Sequence, residues 1–170
     1  MNTISIANYP DFWNGKGKEI SEKLDHADFE LIKAAIQARK NAYAPYSGFY
    51  VGAAVRFQDG TVITGNNQEN SAYPSGLCAE RTALFYAASQ KPELGILSLA
   101  IVGGPGKDLN EHSPLHVGML DDIVPCAACL QVINDMEQRQ KAPIRVLLAG
   151  NGEIRYTDSV RELLPYGFVL

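Results

Sequence analysis

Cysteine and histidine are both scarce in this chain, with three of each in 170 residues. An odd number of thiols cannot all pair within one chain. That argues against a disulfide-stapled scaffold and for reduced thiols in a reducing compartment. No stretch approaches the roughly 20 apolar residues of a membrane span. Residues 1–24 carry Asn, Lys, Glu and Gly throughout, without the apolar run of a signal peptide. Basic residues are also in short supply: 15 Lys and Arg face 19 Asp and Glu, for a net charge of -4 and a pI of about 5.3. They are scattered, so the basic stripe that a polynucleotide binder uses to displace counterions is missing. These absences lead us to expect a cytoplasmic globular protein that engages neither membrane nor nucleic acid.

What remains is ordinary globular material. Hydrophobic residues make up 46% of the chain, and its length suits a single domain spanning residues 1–170. Residues 1–24 read as an irregular N-terminal extension that holds Trp13, the only tryptophan. From Asp25, apolar residues Phe29, Ile32, Ala35 and Ile36 recur at helical spacing, with Asp25 or Asp28 available as cap. This helix ends near Asn41, before Pro45. "YVGAAVRF" and "TVITGNN" read as strands joined by a turn at Asp59-Gly60. Cys78 to Gln90 reads as a helix and "ILSLAIVGG" as a buried strand. A long loop, residues 105–124, contains His112 and His116; Pro114 between them argues against a helical metal pair. Cys126 to Gln138 reads as a helix, "PIRVLLAG" and "IRYTD" as a hairpin, and "DSVRELLP" as a short last helix. Five strands and four helices in this order predict an α/β protein with a mixed sheet.

The cysteines fall where chemistry concentrates. Cys78 opens one predicted helix, and Cys126 and Cys129 open another as C-x-x-C after Pro125. Free N–H groups and the positive end of the helix dipole favour thiolate there. Three thiolates can hold Zn2+ and leave a fourth position open, which is the arrangement of a catalytic rather than a structural metal. Glu80 follows Cys78 by two residues, within reach of a water activated at that position, and a carboxylate so placed can carry its proton. His or Cys, then Glu two residues on, then Pro-Cys-x-x-Cys is the general pattern of zinc deaminases. Three thiolates overcompensate one Zn2+ by one negative charge, and Arg81, next to Glu80, is the candidate cation for offsetting it.

At these residues the chain resembles the zinc-dependent cytidine deaminases of the small, three-cysteine, homotetrameric kind. The resemblance spans "AYAPYSGFYVGAAV" (Ala42 to Val55), "GNNQENSAYPSGLCAERTAL" (Gly65 to Leu84), "PCAACLQVI" (Pro125 to Ile133) and "ELLPYGF" (Glu162 to Phe168). It implies a three-layer sandwich, with a mixed five-stranded sheet and helices on both faces. It implies hydrolysis of cytidine and 2'-deoxycytidine to the uridines with release of ammonia, in pyrimidine salvage. By position, Cys78, Cys126 and Cys129 would hold one Zn2+ per chain, and Glu80 would shuttle protons. Asn67 and Glu69 would bind the ribose 3'-hydroxyl. Phe49 would line the pocket, and Ala79 would contact substrate. Ser71 and Tyr73 would come from a neighbouring subunit, and Phe168 would enter a neighbour's site to pack on the pyrimidine. Two departures stand out. Leu130 occupies a position that is Arg in many relatives, and the 105–124 loop is longer than is common. Two alternatives remain: a deaminase of another aminopyrimidine nucleoside, such as blasticidin S, and a non-catalytic zinc-binding assembly protein.

Overall fold

The helix expected after Asp25 is α1, His26–Arg39, and Asp25 is its cap: the side chain accepts from the Asp28 N–H at 2.8 Å. The computed structural model describes residues 1–5, 24–106, 122–150 and 153–169. Most of the N-terminal extension, including Trp13, and most of the long loop, including His112 and His116, lie outside the described residues.

The strands are β1 (Asn2–Ser5), β2 (Phe49–Phe57), β3 (Val62–Asn66), β4 (Ile96–Pro105), β5 (Arg145–Gly150) and β6 (Glu153–Thr157). They form one sheet in the order β1-β6-β5-β4-β2-β3, in which only β4 and β5 run parallel. The other helices are α2 (Ala79–Gln90) and α3 (Ala127–Gln140). Leu31, Ile32, Ala35 and Ile36 of α1 are buried on one face, against Ala54, Ala100 and Leu147. On the other face, Ala83 and Leu84 of α2 and Ile133 and Met136 of α3 close over Val55, Leu99 and Ile101. The sandwich therefore has three layers, as the family resemblance implies. β4 and β5 lie between both helical layers, which is why their sequences run as near-continuous apolar stretches.

Two expectations need correction. The sheet has six strands, not five, because Asn2–Ser5 pairs with Glu153–Tyr156 along the β6 edge. The predicted last helix is a single 3-10 turn, Val160–Glu162, capped by the Ser159 side chain, which accepts from Arg161 N–H at 3.2 Å. The buried Glu137 carboxylate captures Val160 N–H (3.0 Å) and Ser159 Oγ (2.9 Å), and Pro165 prevents further winding.

Two glycines fix how closely the helices approach the sheet. A Cβ on Gly52 would lie 2.0 Å from Ala35 O of α1, and one on Gly65 would lie 2.4 Å from Ala83 N of α2. Arg39, 1% exposed, ties two strand ends together. Its guanidinium donates to Tyr50 O at 2.8 Å, Gly104 O at 2.7 Å, Pro105 O at 3.2 Å and Gly106 O at 2.7 Å. That fastens the start of β2 to the end of β4, beside Phe49.

Candidate active site

Cys78 and Cys126 are the N-cap residues of α2 and α3, in extended backbone conformation, and neither side chain caps its helix. Ser, Thr, Asp or Asn is the usual choice for an N-cap because its oxygen satisfies a free N–H. Here that role is left open and the sulfurs converge instead. Cys126 Sγ lies 3.8 Å from Cys78 Sγ and 3.5 Å from Cys129 Sγ, and the three Sγ atoms lie within 4.8 Å of one another. Zinc–sulfur bonds of ~2.3 Å in a tetrahedron put sulfurs about 3.8 Å apart. The donor set therefore fits one Zn2+ with little rearrangement.

The electrostatics agree. The Cys78 thiol is drawn down to about 5, chiefly by a hydrogen bond from Cys129, with Arg81 and Cys126 contributing and burial opposing. The same hydrogen bond and burial push Cys129 far above the usual thiol range. Arg81 Nη2 donates to Cys78 Sγ at 3.8 Å, and the thiolate raises the guanidinium's own pKa. Leu130 is buried among apolar side chains. Among the described residues, Arg81 is thus the cation that the hydrogen bonds place on this cluster.

Glu80 lies in the first turn of α2 and is 4% exposed. Burial pushes its carboxyl up to about 7, and the neighbouring Cys78 thiolate adds to the rise. A carboxyl poised near neutrality can both take and return a proton. Ala79 before it is fully buried and does not border the cavity that opens beside Cys78. Its N–H is one of the free donors at the helix start.

Beside Cys78 and Arg81 opens a cavity of about 330 Å³ bordered by Asn67, Glu69, Tyr73 and Leu77. Asn67 Oδ1 accepts from Val51 N–H at 2.8 Å and its Nδ2 donates to Phe49 O at 2.9 Å, leaving one amide hydrogen for a ligand. The Glu69 carboxylate accepts from Tyr46 N–H at 2.9 Å, Ser47 N–H at 3.2 Å and the Ser47 hydroxyl. The Ser47 hydroxyl bond, first among these, lowers the Glu69 pKa. The carboxylate is thus kept ionised and aimed, with acceptor capacity left over.

Not every expected residue meets at this cavity. The Phe49 ring rests against Gly103, where an added Cβ would lie 2.9 Å from Phe49 Cε1, and does not border the opening. Ser71 is exposed and does not border it. Tyr73 borders it from within the same chain and packs edge-on against Tyr46, with ring centroids 6.4 Å apart. Phe168 is 66% exposed and also lies outside the cavity lining. Ser47, Gln68 and Leu77 are contributors that the sequence reading did not single out. Their signal was only adjacency, since Ser47 stands in "YSGF" and Gln68 between Asn67 and Glu69.

Residues 25–142 match the model of the cytidine and deoxycytidylate deaminase zinc-binding region. The chain is 42% identical over 139 residues to a cytidine deaminase of Halalkalibacterium halodurans, a match covering 81% of this chain and 91% of that one. It is 39% identical to one from Sporosarcina psychrophila, over 82% of this chain and 89% of the relative. A crystal structure of cytidine deaminase from Burkholderia pseudomallei superposes with a TM-score of 0.65 at 40% identity, covering 85% of this chain and all of that one. The enzyme from Mycobacterium tuberculosis superposes with a TM-score of 0.60 at 30% identity, covering 84% and 98%. The thiol cluster, the buried glutamate beside it and these relatives agree: the chain belongs to the zinc-dependent cytidine deaminase family.

Proposed function

We propose the following division of labour for the reaction this hydrolase performs, cytidine plus water giving uridine plus ammonia. Cys78, Cys126 and Cys129 would hold Zn2+, which would supply the Lewis acidity that makes a water nucleophilic near neutral pH. Glu80 takes a proton from that attacking water and delivers it to ring nitrogen N3 as the oxygen adds to C4. Glu80 then carries the second proton of the water to the departing amine. The C4–N bond breaks, a carbonyl forms at C4, and the carboxylate is regenerated. The observation that carries this reading is a glutamate, 4% exposed, two residues from Cys78 of a three-thiol cluster and in the first turn of the helix that Cys78 caps. Arg81 offsets the excess thiolate charge through its contact with Cys78.

Asn67 and Glu69 bind the ribose 3'-hydroxyl, as donor and acceptor respectively. A 2'-hydroxyl does not enter that pairing, so 2'-deoxycytidine is a second substrate. Phe49 and Ala79 do not border the opening in the single chain, and their substrate roles rest on their positions in the family motifs alone. The chain acts as one domain and assembles as a homotetramer, with Ser71, Tyr73 and Phe168 contributed to neighbouring sites. Exposed aromatics support assembly: Phe85 and Tyr86 on α2, Tyr73 and Phe168 are all open to solvent in the single chain. Thiolate ligands suit the reducing cytoplasm and a role in nucleoside reuse.

The test is the fall in ultraviolet absorbance on mixing with cytidine, with ammonia assayed in parallel, for the parent and for Glu80→Gln. The variant keeps its size and its zinc but loses roughly 10²–10⁴-fold in kcat. A Gln variant as fast as the parent would remove Glu80 from the mechanism.

A further inference from the structure

We propose that Gln131 and Asn134 are positioning residues that clamp the backbone of Phe168 onto α3, so that its ring is presented in a fixed place to a neighbouring subunit. The inference rests on the reading of Phe168 as the residue that packs on the pyrimidine in trans.

Gln131 holds both backbone groups of Phe168. Its Nε2 donates to Phe168 O at 2.8 Å, and its Oε1 accepts from Phe168 N–H at 2.9 Å. One side-chain amide thus pairs with one residue much as a neighbouring strand would. Asn134 is three residues further along and therefore on the same face of α3. Its Nδ2 donates to the same carbonyl at 3.0 Å, from a side chain that is itself buried. Gly167 makes room for this clamp: a Cβ there would lie 3.0 Å from both Asn134 Cγ and Nδ2. Upstream the tail is anchored by Leu163 and Leu164, which pack on the core, and by Gly167 N–H donating to Leu164 O at 3.2 Å.

All of this ordering acts on the main chain of a residue whose side chain is left 66% exposed. Folding of the single chain gains little from fixing a solvent-facing ring. A binding surface gains more, because an aromatic group already held in place loses less freedom when it packs on a partner or ligand. The helix matters too. Gln131 lies two residues beyond the zinc ligand Cys129, on the rigid body that carries Cys126 and Cys129. The clamp therefore ties the displayed ring to one subunit's metal helix and so sets its position relative to the neighbour's site.

The experiment uses the zinc-loaded oligomer and a double-mutant cycle between Gln131→Ala and Phe168→Ala, with cytidine as substrate. Gln131 is not buried, and Gln131→Glu, which keeps the acceptor and loses the donor, serves as a second variant in case the alanine folds poorly. Removing two hydrogen bonds is expected to raise KM roughly fivefold to tenfold, with kcat, zinc content and assembly mass unchanged. In the Phe168→Ala background the Gln131 substitution should add nothing, a non-additivity that a purely structural role would not produce. If Phe168→Ala raises KM but Gln131→Ala does not, or if the two effects add in full, the clamp is overturned while the reading of Phe168 stands. If Phe168→Ala itself leaves KM at the parental value, the reading of Phe168 fails and the clamp falls with it.

Discussion

Gly65 offers a sharp test of how the sheet seats the helix that carries Cys78 and Glu80. A Cβ at this position would lie 2.4 Å from Ala83 N, 2.8 Å from Ala79 O and 2.9 Å from Ala83 Cα. Comfortable heavy-atom separations are about 3.5–4.0 Å, so Gly65→Ala is short of space by about 1 Å. All three obstacles are backbone atoms of α2, so no side-chain rotation relieves the clash. Either α2 slides off β3 or β3 distorts, and α2 carries Cys78 at its cap and Glu80 in its first turn. Overpacking of this kind costs about 1–3 kcal/mol, which lowers Tm by roughly 2–4 °C per kcal/mol in a protein of this size. Displacing catalytic groups by ~1 Å costs about 10²-fold in rate. Gly65→Ala should therefore lose about 100-fold in kcat/KM, read by cytidine absorbance, alongside a modest fall in Tm. Gly60→Ala is the control. Gly60 has φ +82 in the β2–β3 turn with nothing within 4 Å of an added Cβ, so strain there lowers Tm while kcat/KM stays parental. Parental kcat/KM and Tm in Gly65→Ala, or an equal loss of activity in Gly60→Ala, would refute the reasoning.

Three further outcomes are expected. Mixing Glu80→Gln chains with Phe168→Ala chains, under conditions that allow subunits to exchange, should restore activity through sites that combine a parental Glu80 and Phe168 from different chains; no recovery in verified mixed oligomers would argue against sites completed in trans. Arg39→Leu removes the donor from four strand-end carbonyls and should destabilise the fold by roughly 3 kcal/mol in urea titration, and a variant with the parental midpoint would count against the latch. The Asp59 carboxyl is lowered to about 2, chiefly by the Lys91 hydrogen bond at 2.6 Å. A depressed carboxyl stabilises the fold above its unfolded pKa, near 3.8, and loses that contribution as pH falls through about 2. The gap in Tm between parent and Asp59→Asn should be present at pH 5 and shrink toward pH 2; a gap that is flat with pH would assign it to something other than charge.

The metal cluster was legible because its signal is local. Cys78 and Glu80 are two residues apart, Cys126 and Cys129 are three apart, and each set opens a helix, whose start needs only a nearby proline or acidic turn to be read. β1 was not legible. "NTIS" is four residues long with no apolar alternation, and its place in the sheet comes from pairing with β6 some 150 positions away. The last helix was over-read for the opposite reason. "DSVRELL" has good helix formers, but the Glu137 carboxylate takes Val160 N–H and Ser159 Oγ, and tertiary contact overrides propensity. The sugar contact of Asn67 is an expectation from the family resemblance, and nothing local announces that its amide pairs with β2. The same holds for Gln131 and Asn134, whose partner lies more than 30 residues downstream.

Asn67 uses its carboxamide as a peptide group would, adding one rung to the sheet between Phe49 O and Val51 N–H. That rung makes the amide bordering the cavity and the backbone of Phe49 a single mechanical unit. Replacing Asn67 to reshape the cavity wall also releases the strand end on which Phe49 sits, so the two cannot be altered one at a time from this position. Changes in substrate range are therefore channelled to side chains that border the cavity without carrying sheet bonds, such as Tyr73 and Leu77. Variation accumulated there would widen or narrow the choice of nucleoside while the wired pair stays untouched.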